Sequence, residues 1–468
     1  MAKQRSWYFW FIFWLVAFIF LVVWFLFWRY QHQGKIGLLK TVVNVLPMES
    51  EKRGELNTVL EIAEKISQGE EKTFLVLFQN SDELRPGGGY IGSFGIIKIK
   101  GEQITAVDTH DTNIFDSAKA TGVEPPYPMG KMLNITDWEM RDSNWSADFP
   151  TNALKAIEFY QAQGGKEKFD GVFAVSSKIL PVIFEVIGPI EVPGYSGEFN
   201  KENAIEKLQY QVEKGYYEQT PWEEVDRGKR KYIIKDLAKI IAQKIQMLSW
   251  SEKKALAQKI EQQLKGKNIM LYFKDNVLEE KVIQMGWDGK VEKTTGDYLM
   301  LVDANLGSLK TDALIKRSFE YQVDFRHPKP WAKLKLNYEN QGKKEDWKTR
   351  DYNVFTRILV PKDSWLYELK NASKAQFDHD SDKKTIGFIQ KLDLGQKKTV
   401  EINYDLPETI KEYNYSLLIQ KQSGVDDLSG KVKLIFSNGE EEEFEIKTVN
   451  KIKLGNITIP ASKQVIIK

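Results

Sequence analysis

Residues 73–111, TFLVLFQNSDELRPGGGYIGSFGIIKIKGEQITAVDTHD, set the reading of everything around them. TFLVLFQ at 73–79 is a continuous apolar run and reads as a strand, and GSFGIIKIKGEQITAVDTHD at 92–111 reads as a hairpin turning at Lys100-Gly101. Downstream, short apolar runs alternate with amphipathic stretches. The pattern predicts helices over 151–163, 177–186, 203–214, 227–247 and 276–285, and strands in FDGVFAVSS, NIMLYF and DYLMLVDAN. Such alternation predicts a mixed α/β domain over 71–305.

Upstream the chain has a different character. Trp7 to Trp28 is an uncharged run of 22 residues, WYFWFIFWLVAFIFLVVWFLFW. At about 1.5 Å per residue it is long enough to cross a hydrocarbon core of roughly 30 Å. A secretory signal would have a shorter apolar stretch and a small-residue cleavage site, which 31–35 do not offer. Residues 7–28 are therefore expected to be a single-pass membrane anchor, with 1–6 cytoplasmic, a helical neck over 29–70 broken at Pro47, and the later domains extracytoplasmic. The positive-inside count is nearly silent on that orientation, because Lys3 and Arg5 are balanced by Arg29, Lys35 and Lys40.

Beyond residue 306 the helical period disappears. FEYQVDF, KLKLNYEN, NVFTRILVP, TVEINYDLP, YNYSLLIQKQ, KVKLIFS and EEFEIKTVN alternate apolar and polar residues between turn signals, which predicts an antiparallel, immunoglobulin-like β-sandwich over 306–468. Overall the chain is expected to be a mixed α+β protein.

Composition narrows the chemistry. Cysteine is absent, so disulfides, thiolate metal sites and cysteine nucleophiles are excluded. With 67 basic against 65 acidic residues and no basic block, nucleic acid is not an expected partner. Four histidines without HExxH spacing argue against a zinc hydrolase.

Four clusters remain. In NSDELRPGGGYIGSFG at 80–95, the N–H groups of Gly87, Gly88 and Gly89 could face an anion with Arg85 as a planar fork of donors, or the glycines could shape a hairpin around a structural ion pair. The loop is neither a Walker loop nor a dinucleotide fingerprint. In MRDSNWSADFP at 140–150, Arg141, Asp142, Asn144, Trp145, Ser146 and Asp148 either cap a helix and one another or present a ligand site. Asp108, His110 and Asp111 could supply oxygen ligands for Mg2+ or be turn residues. In DRGKRKYIIKDL, Asp226 could cap a helix whose first turns carry Arg227, Lys229, Arg230 and Lys231, cations that an anionic partner would relieve.

The strings FQNSDELRPGGGYIGSFG, RDSNWSADFP, FDGVFAVSSKILPVIFEVIGPIEVPGY, DYLMLVDANLGSLKTD and DYNVFTRILVPKDSWL resemble a bacterial membrane-anchored family known as domain of unknown function number four thousand and twelve. That family brings no activity with it. A more distant similarity is to the LytR-CpsA-Psr family, cell-envelope enzymes that transfer glycopolymers from a lipid pyrophosphate carrier to peptidoglycan. On that resemblance Arg85, Asp111 and Asp226 stand at catalytic points. Asp111 and Asp226 would hold Mg2+, and Arg85, Arg227 and Arg230 would grip the phosphates of a polyprenyl-pyrophosphate lipid or contact a cell-wall glycopolymer; the loop readings add Gly87, Gly88, Gly89, Arg141, Asp142, Asn144 and Trp145 as candidate contacts to the same ligand. The chain departs from that pattern at the glycines after Arg85, at His110 before Asp111, and at QYQVEKGY, 209–216, where arginines are expected. The expectation is therefore a non-catalytic binding or scaffold module on a LytR-CpsA-Psr-like core, with a divergent phosphotransferase as the alternative.

Overall fold

The computed structural model describes residues 49–446 apart from 102 and 227–228, with helical pieces between 36 and 44 and two strands near the C-terminus, Asn456–Ile459 and Lys463–Ile467. The expected anchor, Trp7–Trp28, lies outside the described residues. Among the described residues no helix is long and apolar enough to cross a membrane.

The neck residues 50–67 form α1 (Ser50–Ser67), which leads into the first sheet. The run TFLVLFQ lies in β1 (Lys72–Arg85), and Phe74, Leu75, Val76 and Leu77 are all buried, as a strand covered on both faces requires. It turns tightly into β2 (Gly88–Lys100), which pairs with β3 (Gln103–Asp111) across the expected Lys100-Gly101 turn. The helix α2 (Phe149–Ala162) then crosses over to β4 (Gly171–Ser176), parallel to β1. After α3 (Ile179–Ile187) comes the small ladder β5 (Ile190–Glu191) with β6 (Glu198–Phe199). The helical hairpin α4 (Tyr232–Met247) and α5 (Trp250–Lys265) returns the chain to β7 (Ile269–Phe273), antiparallel to β4, and α6 (Asn276–Gln284) follows. The sheet order is β3-β2-β1-β4-β7. Leu75, Leu77, Val172 and Ala174 share a core with Ala153, Ala156, Ile157 and Phe159 of α2. Phe74 and Phe273 share another with Ile62 of α1 and Leu264 of α5, so helices cover both faces.

The expected helix 227–247 is shorter than its period suggested. Lys229–Lys231 is a 3-10 turn, and the α-helix begins at Tyr232. Lys229, Arg230 and Lys231 in succession would crowd a helix N-terminus, where the dipole disfavours positive charge.

The strand DYLMLVDAN is β8 (Asp297–Asn305), and it belongs to the second half of the molecule, between β11 (Tyr352–Pro361) and β16 (Tyr415–Lys421). That half is a pair of packed sheets. One has six strands: β9 (Ile315–Asp324), β10 (Trp331–Asn340), β12 (Trp365–Lys370), β15 (Lys397–Asp405), β17 (Ser429–Ile435) and β18 (Glu441–Ile446), ordered β12-β15-β10-β9-β17-β18. The other adds β13 (Gln376–Asp380), β14 (Lys383–Leu392), β19 (Asn456–Ile459) and β20 (Lys463–Ile467) to the three just named, ordered β13-β14-β11-β8-β16-β20-β19. Inward residues of both sheets, among them Phe319, Leu334, Ile402, Val354, Phe388 and Leu417, form one core. At its centre the buried Asp297 accepts hydrogen bonds from Tyr321 (2.7 Å) and Tyr415 (2.8 Å). The sheets are mixed rather than purely antiparallel, because β8 runs parallel to β16 and β9 parallel to β17. The alternation of a half-buried strand is the same in both directions, so sequence pattern alone does not distinguish them.

Candidate functional site

Pro86-Gly87 forms the two-residue turn between β1 and β2, with Arg85 opposite Gly88. The glycines are required by close approach. A Cβ on Gly87 would stand 2.2 Å from Asn152 Nδ2, and one on Gly89 would stand 2.3 Å from the Asn80 carbonyl; Gly88 has φ +127°. The Gly87 N–H donates to Asn144 O (2.9 Å), Gln79 donates to Gly87 O (3.0 Å), and Asn144 Nδ2 donates to Gly89 O (2.7 Å). The RPGGG and RDSNWS strings therefore meet, and they meet as partners of each other.

Arg85 is 2% exposed. Its Nε donates to Asp142 Oδ1 (2.6 Å), which is 3% exposed; Nη1 donates to Asn305 O (2.7 Å) and Leu84 O (3.3 Å), and Nη2 to Glu83 (3.2 Å). Burial pulls the guanidinium pKa down, but Asp142 and Glu83 push it further up, so the group is charged at any ordinary pH. The structure therefore places Arg85, expected as a phosphate ligand, inside a buried ion-pair network. Arg141 pairs with Glu139 and lies 3.9 Å from Asp142. Asp148 caps α2 through Thr151 N and Oγ1 and also accepts from Val291 N (3.0 Å).

Both strings are bound to the β-sandwich. Gln422 Nε2 donates to Arg85 O (3.0 Å) and Asp303 O (2.8 Å), while its Oε1 accepts from Asp303 N (2.8 Å). Leu84 N donates to Asp312 (3.0 Å). Ser146 Oγ (2.6 Å) and Ala147 N (2.8 Å) donate to Asp380, and Arg357 donates to Trp145 O (2.6 Å) while covering the Trp145 ring at 5.2 Å. That ring stacks on Phe355. Gly424, at φ +83°, lies against Gly88, where a Cβ would be 2.3 Å from the carbonyl oxygen. The sequence did not point to Asp303, Asn305, Arg357, Asp380 or Gln422 as site residues. The available signal was a charged or amide group inside an apolar strand run, as in DYLMLVDAN and NVFTRILVP.

The third and fourth clusters do come together. Asp111, whose side chain is 3% exposed, accepts from Lys231 Nζ (2.8 Å), Arg230 Nε (3.2 Å) and Asn113 N (2.9 Å); Arg230 also faces Glu213 at 3.5 Å, and Lys231 reaches Gly92 O. Asp226 is exposed, 4.0 Å from Lys229, with its backbone tied to Tyr216 Oη. Arg227 lies outside the described residues. These residues do not fit a Mg2+ site: cations already hold both Asp111 oxygens, and among the described residues no group of three His, Asp or Glu is placed to bind a metal. His110 stacks on Phe94, 3.4 Å from Asp108.

A cleft of about 1300 Å³ runs between α3, α5 and the sandwich. Lys178, ion-paired to Asp426 at 2.6 Å, and Lys421 line it. Lys421 donates to the carbonyls of Gln422 (3.2 Å), Gly266 (3.4 Å) and Val425, and burial pushes its pKa down to about 7.

Residues 69–212 match the family described as Protein of unknown function (DUF4012). The matched segment contains both glycine-rich and RDSNWS strings, β1 to β4 and α3, and stops short of the sandwich residues that hold those strings. No curated protein matches the chain. Solved structures similar to it include Lin1025 from Listeria innocua (12% identity, 49% of this chain and 86% of that one, TM-score 0.26). Others are gbs0355 from Streptococcus agalactiae (12%, 55% and 83%, 0.28) and TagV of B. subtilis (12%, 51% and 88%, 0.26).

Proposed function

We propose that this chain is a bilayer-anchored cell-envelope protein that works as a non-catalytic binding or scaffold module. The observation that carries the reading is the fate of Arg85. A phosphate clamp needs donors aimed at an open site, and this guanidinium is buried with all three nitrogens hydrogen-bonded inside the protein. The Gly87 N–H and the Asn144 side-chain nitrogen are engaged in the same way. Anchor and envelope location rest on the apolar run at 7–28.

One observation favours the phosphotransferase alternative: Arg230 and Lys231 converge on Asp111, and an incoming anion could take the carboxylate's place. Titrating the full chain with geranyl pyrophosphate, with and without Mg2+, tests both. The module reading expects no saturable binding; binding that is lost in Arg230→Ala at unchanged stability would overturn it in favour of the transferase.

A further inference from the structure

The α4–α5 hairpin ends in an apolar tip that none of the described residues covers. Met247 is 84% exposed and Trp250 is 70% exposed. The tip is rigid. Leu248 packs into the core under α4, and Ser249 opens α5 with a full capping box, its hydroxyl accepting from Glu252 N while Glu252 accepts from Ser249 N (2.7 Å). A large apolar pair held out on a stiff two-residue turn is maintained at a cost in water, since surface Trp and Met gain nothing there.

Charge surrounds it. Lys244, Lys253 and Lys254 are exposed about the turn, and Glu252, the one carboxylate between 244 and 254, is committed to the cap. Cations around an exposed Trp match the headgroup region of an anionic bilayer, where the indole sits at the interface and each lysine meets lipid phosphate.

The tip also points the right way. Asn57 donates to Asn44 (2.9 Å) and Lys40 pairs with Glu64, so the chain leading back toward the apolar run at 7–28 leaves from the C-terminal end of α1. Lys265 pairs with Glu55 (2.9 Å), while Ile260 and Leu264 share a core with Ile62 and Ile66. The helix α5 therefore runs antiparallel to α1, and its first residue, Trp250, lies toward that same end. We infer that the Met247–Trp250 tip docks on an anionic lipid surface and gives the protein a second membrane contact beside its anchor.

The inference rests on the anchor reading, and the test separates the two. The chain has no cysteine, so Ser251→Cys can carry a single environment-sensitive fluorophore in the full chain, with Lys343→Cys on the sandwich as a control. In nanodiscs containing phosphatidylglycerol, the label at 251 shifts to the blue and is quenched by lipid-borne nitroxide, whereas the label at 343 is not. Adding Met247→Ser and Trp250→Ser returns residue 251 to the control level. Equal, water-like behaviour at 251 and 343 in protein retained by the disc would overturn the tip. Protein not retained by the disc sinks the anchor instead, and flotation with anionic vesicles then decides the tip. Binding weakened at least about tenfold by Lys253→Glu with Lys254→Glu supports it, and no binding overturns it.

Discussion

Replacing Arg85 with methionine separates a structural role from a ligand-binding one by magnitude. The substitution leaves Asp142 charged and 3% exposed with its 2.6 Å partner gone, and leaves the Asn305 carbonyl without its donor. Removing one member of a buried pair costs about 3–5 kcal/mol, a large part of a total stability of roughly 5–15 kcal/mol. At roughly 2.1 cal/mol/K per residue, a unit of about 400 residues loses about 5 °C of Tm for 4 kcal/mol, whereas the α/β half unfolding alone would lose about 8 °C. Differential scanning calorimetry of the full chain reads both the shift and its cooperativity. The expected result is a fall of about 5 °C in a single transition, partly recovered when Asp142→Leu removes the stranded carboxylate. A Tm within about 1 °C of wild type would refute the structural assignment.

Other outcomes follow from the same geometry. Gly424→Ala forces a Cβ to 2.3 Å from the Gly88 carbonyl at φ +83°, so Tm falls although no charge changes; an unaltered melt would mean the two loops are not in contact. Asp380→Ala strands the Ala147 N–H and leaves Arg357 buried with no carboxylate at 3.7 Å, for a loss of about 3 kcal/mol in urea unfolding. Asp116, pushed up to about 7 by burial, and Asp297, pushed up to about 6 by the same cause, bind protons more tightly folded than unfolded. Their contribution is complete below about pH 4 and is lost as pH rises to 6–7, so the stability of Asp116→Asn varies less between pH 4 and 7 than that of wild type. Chemical denaturation across that range checks the sign, and an identical slope in both proteins would count against it.

Much of the fold was legible because its elements carry strong periods. TFLVLFQ, FDGVFAVSS and NIMLYF are apolar runs too short for a helix and rich in β-branched and aromatic residues, which reads as buried strands, and the hairpin at Lys100-Gly101 turns on a glycine at φ +61°. DYLMLVDAN was read as a strand, but its neighbours come from residues more than 40 positions later, and local pattern holds no information about partners. The same limit hid the site. Arg85 beside three glycines has the composition of an anion loop and of a close-packed turn alike, and what decides between them is Asp142, Asn305 and Gln422, none adjacent in sequence. The family resemblance put Asp111 and Arg230 forward as ligands of a metal and a phosphate, whereas their direct pairing with each other, and the accompanying Lys231 and Glu213, were not legible in the sequence.

The most direct test of the central claim, that the glycine-rich and RDSNWS strings bind the α/β half to the sandwich rather than to a ligand, is the unfolding of Gln422→Ala beside wild type in the calorimeter. Wild type should melt in one transition whose calorimetric and van't Hoff enthalpies agree. Loss of the Gln422 bonds to Arg85, Asp303 and their neighbours should lower or split it. Two separate transitions already present in wild type, unmoved by the substitution, would contradict the account.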